Sequence, residues 1–480
     1  MSKLANLEPQ RVFKYFEEIC SIPHGSGNME KIADYCVDFA RRHSLKSVRD
    51  EANNVIIYKK ATKGYENADA VILQGHLDMV CQKDEGVNID FEKDGLDIFA
   101  EGDYIKARGT TLGGDNGIAV AMILAILEND TYAHPAIEAV FTTDEEIGMI
   151  GAGKLDFSLL SGKKMINMDS ESQGVLTVSC AGGSDFEMTT SIERCKAQGQ
   201  LVTIAVKGLK GGHSGVEIDK GRVNANVMMA RILKQAEEFA SFDLVSVDGG
   251  DKANAIPLCS VARLVCNSCE KLVIKLKEYA DIIKREISFR EEGFYLDIEV
   301  GENGIYDVME KSVKDRVISA LMSCPNGVVE MSAEIDNLVE TSLNPGILQT
   351  DANQLRVHFA LRSNKVSALM YLEERLKAFA SLAGFATHTF GHYPPWEYNA
   401  SSLLQKLYAD KYMEKTGNEI SVEAIHAGLE CGVFSASING LDCISIGPDM
   451  QDIHTSCEKL SISSVETVFH SVLKVLEECK

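Results

Sequence analysis

The hydrophobic pattern divides the chain into two kinds of segment. Near the N-terminus, short continuous apolar runs alternate with longer helical stretches. Residues 70–74 (AVILQ), 137–142 (IEAVFT) and 164–168 (KMINM) have the length and continuity of strands buried on both faces, and 118–128 has helix length and composition. Strands alternating with helices predict a parallel sheet in an α/β layer architecture. From about residue 186 the order changes. Strands are predicted at 201–206, 262–266 and 294–300, with helices at 222–239 and 271–286. A similar series follows: a helix at 313–322, strands around 328–339 and 355–361, a helix at 365–382 and a strand at 385–390. Two split strand–helix–strand series predict two ferredoxin-like halves. After Pro394 and Pro395 the first pattern resumes, with a helix at 403–412, a buried strand at 443–446 and an amphipathic helix at 465–476. The expected architecture is therefore an α/β domain from 1–185 and 396–480, with 186–395 inserted as an α+β lid.

Composition narrows the function. The 480 residues include 48 Lys and Arg against 71 Asp and Glu, a formal charge of −23. A polyanion-binding protein normally carries a basic excess, so nucleic acid is an unexpected partner. The longest apolar run, 118–127, is about half the length a membrane span needs, and the first residues lack a signal-peptide core. The 13 Cys are odd in number and scattered, as buried thiols in a reducing compartment would be. A cytoplasmic location follows as the expectation. Cys266 and Cys269 form the one close pair, which reads as packing because no second pair stands at zinc-site spacing.

Five segments carry chemistry after predicted strand ends: Gly75-His76-Leu77-Asp78, Gly113-Gly114-Asp115-Asn116-Gly117, Thr143-Asp144-Glu145-Glu146, Asn167-Met168-Asp169 and Asp452-Ile453-His454. Open parallel sheets bind ligands beyond the carboxyl ends of their strands, so distant segments can converge. Together they offer two imidazoles, His76 and His454, and the carboxylates Asp115, Glu146 and Asp169. Mixed nitrogen and oxygen donors suit zinc, cobalt or manganese. Five ligands are too many for one catalytic zinc and fit two cations if one carboxylate bridges. Asp115, at a glycine-flanked helix start whose N–H groups could hold it, is the natural bridge. Asp78 can orient His76. Glu145, beside Glu146, can serve as general base. No Lys follows the glycines as a phosphate loop requires, which disfavours a nucleotide-binding reading.

The motifs GHLDMV, TTLGGDNGIAVA, TTDEEIGMIGA, NMDSE, GGHSG, HAGLECG and IGPDMQDIHTSCEKLSI resemble the zinc-dependent aminoacylase/carboxypeptidase superfamily, in its aminoacyl-histidine dipeptidase branch, over essentially the full chain. The resemblance implies two divalent metals, Zn2+ first, with Co2+ or Mn2+ as alternatives. It places His76 and Asp169 on one metal, His454 and Glu146 on the other, Asp115 as bridge, Glu145 as general base and Asp78 as the His-orienting acid. It further implies that His213 stabilises an oxyanion, that Arg362 binds the substrate's C-terminal carboxylate, and that Asn254, Gly428 and Glu430 contact substrate. The implied activity is hydrolysis of unblocked dipeptides, including Xaa-His and β-alanyl-histidine, by a homodimer joined through the inserted domain. The alternatives are an N-acyl amino acid deacylase or a tripeptide aminopeptidase of the same superfamily, and, from another class, a non-catalytic peptide-binding protein. The remaining histidines, such as His24, His43, His134, His388 and His470, read as structural, and His426 stays open.

Overall fold

The computed structural model describes residues 3–480. They form two compact units: one from residues 3–180, 398–424 and 429–480, the other from 181–397 and 425–428.

The first unit is built on an eight-stranded sheet in the order Lys46–Arg49, Val55–Lys59, Ile137–Thr142, Val71–His76, Lys164–Asn167, Asp442–Ser445, Val175–Cys180, Ser421–Ile425. The four strands from Ile137–Thr142 to Asp442–Ser445 are mutually parallel, while Val55–Lys59 and Val175–Cys180 join them antiparallel on the two sides. The central pair is buried along its whole length, with Val71 opposite Ile137 and His76 opposite Thr142. This is why these segments read as continuous apolar runs without alternation. The crossover between them is the helix Gly114–Glu128, apolar on every side and buried from Gly117 to Leu127. A helix of that composition belongs inside a core, and it packs between the sheet and the helix Gln10–Cys20.

The second unit is a nine-stranded sheet ordered Tyr295–Met309, Arg194–Lys207, Ser260–Cys266, Phe242–Gly249, Val339–Thr350, Gln354–Ser363, Gly182–Ser191, Ala386–Tyr393, with Gly327–Met331 added against Val339–Thr350. It resolves into two ferredoxin-like halves. In each, the four strands lie side by side in the order fourth, first, third, second, as the motif requires. The halves meet at one seam, where Gly249 pairs with Leu348. Their connectivity is nested: Gly182–Ser191 opens one half, the whole other half follows, and then the first is completed. The expected second series lacked a leading strand; Gly182–Ser191, which no pattern had marked, supplies it. The helices Ala225–Phe239, Cys269–Ile287, Lys311–Ser323 and Val366–Ala383 contribute to a single apolar core with these strands, including Leu233, Leu276, Val317 and Leu376 and the edge-to-face pair Phe186–Phe359. Cys266 and Cys269 end a strand and begin a helix, with the Cys269 thiol donating to the Cys266 carbonyl, a local packing role.

Candidate active site

In the first unit the strand ends deliver the predicted side chains. His76 closes its strand, Asp169 lies two residues past Lys164–Asn167, and Glu145 and Glu146 lie three and four past Ile137–Thr142. His76 Nε2 stands 3.1 Å from Asp115 Oδ1 and 3.3 Å from Asp169 Oδ1. His454 Nε2 stands 3.0 Å from Glu146 Oε1 and 3.3 Å from Asp115 Oδ2. The two oxygens of Asp115 thus face different imidazoles. Ligand atoms of His76, Asp115 and Glu146 lie within 4.8 Å of one another. Two imidazole nitrogens and three carboxylates, with no thiolate, form a donor set that fits borderline or hard divalent cations.

The charges fit the same use. Burial pulls the His76 pKa down, but Asp169, Asp115 and Asp78 more than reverse this and hold it well above the ordinary value. Hydrogen bonds to Asp115 and Glu146 push His454 up to about 10. Each imidazole must therefore shed a proton before it can ligate a metal. Burial pushes Asp169 up to about 6, opposed by His76. Burial also raises the Glu145 carboxyl well above its usual range, against the attraction of His76.

Asp78 has two tasks. His76 Nδ1 donates to the Asp78 carbonyl at 2.9 Å, with the carboxylate oxygen Oδ1 at 3.4 Å. That carboxylate accepts the N–H groups of Glu145 (3.0 Å) and Glu146 (3.2 Å) and the hydroxyl of Ser26 (2.8 Å). It therefore fixes the loop carrying the candidate base as well as the imidazole. Asn116 links two further segments: its side chain accepts from the His76 N–H (3.2 Å) and donates to the Met168 carbonyl (2.8 Å).

Glu430 begins the helix Glu430–Ser437 and is fully buried. Its Oε2 accepts from Gln74 Nε2 (2.5 Å) and Thr142 Oγ1 (2.7 Å), and burial pushes it up to about 7. Gln74 in turn accepts from Asn167. This buried polar layer joins the strands that end in His76 and lead to Glu145 and Asp169. Ser26, Asn116, Gln74, Thr142 and Asn167 carry no assignment from sequence, because their types are common and only their partners single them out. Glu458 belongs with them: it accepts the N–H groups of Leu112, Gly113, Gly114 and Asp115. The N–H groups expected to hold the Asp115 carboxylate are thus satisfied by a different acid.

In the second unit, His213 and Asn254 come together: Gly212–His213 pairs with Ala255–Ile256, and Ser214 N–H donates to the Asn254 carbonyl. His213 Nδ1 accepts from the N–H groups of Gly215 (3.1 Å) and Val216 (3.2 Å), so the ring proton sits on Nε2. Burial and Arg362 lower its pKa and keep it neutral, a hydrogen-bond donor without charge. Arg362 is 8% exposed; Nη1 donates to Tyr393 Oη at 2.9 Å, and its buried Nε has no partner among the described residues. His426 is now accounted for. Its ring is held by Ser342 Oγ at 2.7 Å and Asn364 Oδ1 at 3.1 Å, and burial together with Arg362 pulls it down to about 3. It is a neutral strut beside Arg362. Gly428 lies in the turn between Ser421–Ile425 and Glu430–Ser437.

Gly215 closes this cluster tightly. A Cβ there would stand 2.4 Å from the His426 carbonyl oxygen, 2.9 Å from His213 Cε1 and 3.1 Å from Arg362 Nε. The carbonyl cannot retreat as a flexible side chain would. Gly215→Ala is expected to displace His213 and lower kcat/KM by roughly a hundredfold with the fold intact. Steady-state kinetics alongside circular dichroism checks this, and unchanged kcat/KM refutes it.

A parallel floor presenting imidazoles and carboxylates around one shared aspartate is the kind of donor set a metal-dependent α/β enzyme offers, and it lacks the phosphate loop of a nucleotide binder. Residues 72–478 match the family described as Peptidase family M20/M25/M40, and the chain belongs to it. The chain is 37% identical over 482 aligned positions to the cytosol non-specific dipeptidase of Escherichia coli (strain K12), covering 100% of this chain and 99% of that one. The crystal structure of aminoacylhistidine dipeptidase from Vibrio alginolyticus superposes with a TM-score of 0.91 at 37% identity, covering 99% and 98% of the two chains. Aminopeptidase PepT from Bacillus cereus shares the fold at a TM-score of 0.58 and 15% identity, over 98% of this chain and 99% of that one. The protein is a peptidase, and no helix among the described residues is long and apolar enough to cross a membrane.

Proposed function

We propose that this peptidase is a cytoplasmic dipeptidase that cleaves the peptide bond of unblocked dipeptides, Xaa-His and β-alanyl-histidine among them. The observation that carries the reading is end-to-end similarity to two dipeptidases at 37% identity, joined to an intact set of donors around Asp115. A tripeptide aminopeptidase is disfavoured because a tripeptidase from Staphylococcus aureus shares only the fold, at 15% identity.

Two divalent cations, Zn2+ first, are the cofactors this reading calls for: His76 and Asp169 would hold one, His454 and Glu146 the other, and Asp115 would serve both. When bound, such a pair supplies Lewis acidity and makes water acidic enough to attack near neutral pH. Glu145 takes the proton of the attacking water and returns it to the leaving amine. Asp78 keeps His76 oriented and the Glu145 loop in place. From the inserted unit, His213 Nε2–H donates to the developing oxyanion. Arg362 pairs with the free C-terminal carboxylate through its planar fork, which limits substrates to short peptides. Asn254 and Gly428 complete the substrate surroundings, and Glu430, fully buried on Gln74 and Thr142, supports them from beneath rather than by direct contact.

The deciding experiment is a substrate panel with added Zn2+, Co2+ or Mn2+. Leu-His and other free dipeptides should turn over at least tenfold faster than tripeptides or N-acetyl amino acids. Preference for the N-acetyl compounds would replace this reading with a deacylase.

A homodimer through the inserted unit belongs to the same proposal. Its support is the strand Tyr295–Met309, an unpaired sheet edge that leaves Tyr295, Val300 and Ile305 exposed. Such an edge is a ready template for a second chain. Light scattering in solution should give twice the 52.5 kDa chain mass, and a monomer at micromolar concentration removes this part.

A further inference from the structure

Glu458 has no assigned role, yet its surroundings are unusual. Its side chain is 3% exposed, and its two oxygens accept four consecutive backbone N–H groups. Leu112 (2.7 Å) and Gly113 (3.2 Å) donate to Oε2, and Gly114 (2.8 Å) and Asp115 (3.4 Å) to Oε1. These are donors that a loop entering a helix would otherwise leave orphaned. Charge-assisted bonds of this kind are stronger than neutral ones. The segment held this way ends on Asp115, whose two oxygens face His76 and His454.

The other end of the connection matters as much. Glu458 follows His454 by four residues, and its own N–H donates to the Thr455 carbonyl at 3.2 Å, closing the turn Thr455–Glu458 that directly follows His454. His454 itself adopts φ +61°, and Asp452 φ +55°, backbone angles that need support from their surroundings. One buried carboxylate therefore ties the loop of the shared aspartate to the loop of a candidate ligand more than 300 positions away in sequence. Gly113, at φ +68°, lets the chain bend around it; a Cβ there would meet Met79 Sδ at 2.8 Å.

We propose that Glu458 is a positioning residue for the metal cluster, holding Asp115 and His454 in register so that two cations bind as a pair. This rests on the two-metal reading above. Asp103 provides the contrast of a carboxylate whose bonds tie together main-chain and hydroxyl groups that carry no candidate ligand. It accepts from Ser461 Oγ and from the Ser463 N–H and hydroxyl at the start of the closing helix.

The test is zinc binding, independent of turnover. Chelator-stripped wild type, Glu458→Gln, Gly114→Ala and Asp103→Asn are titrated with Zn2+ against a chromogenic chelator, and the thermal melting of each stripped protein is recorded. Wild type should take up two equivalents. Glu458→Gln should bind at least one of them tenfold or more weakly, the usual scale for partners that orient ligands. Asp103→Asn should bind zinc as wild type does, whatever its melting temperature. Gly114→Ala, whose Cβ would stand 3.1 Å from Glu458 Oε1, should shift in the same direction, and it carries the test if Glu458→Gln does not fold. Zinc affinities within twofold of wild type overturn the proposal, even where melting falls. If wild type itself takes up no zinc, the two-metal reading falls with it; if wild type binds two and the variants match it, only the role of Glu458 falls.

Discussion

Glu145→Gln is expected to lower kcat by roughly two to four orders of magnitude, the contribution of a positioned proton acceptor, while KM and zinc content stay near those of wild type. The amide keeps the shape of the side chain and removes its basicity. The loop should not move, because it is anchored by its main chain: the N–H groups of Glu145 and Glu146 both donate to Asp78. In the proposed division the metal donor is the adjacent Glu146, whose Oε1 lies 3.0 Å from His454 Nε2, so the substitution should leave the proposed donors untouched. Turnover and metal content measured on the same preparation decide the matter. Near-normal kcat with full metal would show that the proton goes elsewhere, and Glu430 would be the next carboxyl to examine.

The proposed contrast between neighbours at 145 and 146 starts from sequence, because adjacent side chains diverge and two acids past a strand end can serve two purposes, and the variant above is its test. Other parts were legible for equally local reasons. The strands Val71–His76 and Ile137–Thr142 are apolar throughout because both faces are buried. The helix Gly114–Glu128 carries no polar face because it has no wet side. Less legible were elements whose identity depends on partners. Gly182–Ser191 (GGSDFEMTTS) is half polar and opens with two glycines; it becomes a strand because Gln354–Ser363 and Ala386–Tyr393 pair on its two sides. Phe242–Gly249 (FDLVSVDG) is similar, lying between Ser260–Cys266 and the seam.

The same distinction holds within the site. Ligand candidates announce themselves by residue type: His and acids after buried strands are rare enough to notice. The groups that hold them do not. Glu458 bonds to backbone N–H groups, which leave no side-chain signal in the sequence, and Ser26 is an ordinary serine until its hydroxyl is found on Asp78. His426 is open from its motif, and the distances decide it: both ring nitrogens are engaged, by Ser342 and Asn364. Residue type therefore points to chemistry, whereas the supporting roles emerge only from the distances.

Asp115→Asn should be the most damaging single-atom change in the molecule. The aspartate presents Oδ1 to His76 Nε2 at 3.1 Å and Oδ2 to His454 Nε2 at 3.3 Å. An asparagine offers one oxygen, and its amide nitrogen has hydrogens where a lone pair is needed. Whichever way the amide turns, one half of the cluster loses a donor and meets an N–H instead. The charge is lost as well, at a point where two dications would have to approach each other. Both consequences act on metal binding before any chemistry begins, so zinc stoichiometry should drop from two to one or fewer. Turnover should then fall below a thousandth of wild type, about 4 kcal/mol of lost transition-state stabilisation. Excess zinc should restore little of it, because the remaining geometry cannot share one ligand between two sites. Fold is a separate matter, since Glu458 grips the main chain of this segment and the side chain of 115 is not among its partners. Elemental analysis, kinetics and circular dichroism on one preparation separate these effects. A variant that keeps two zinc ions and most of its activity would show that Asp115 does not bridge, and the five donors would have to be divided in another way.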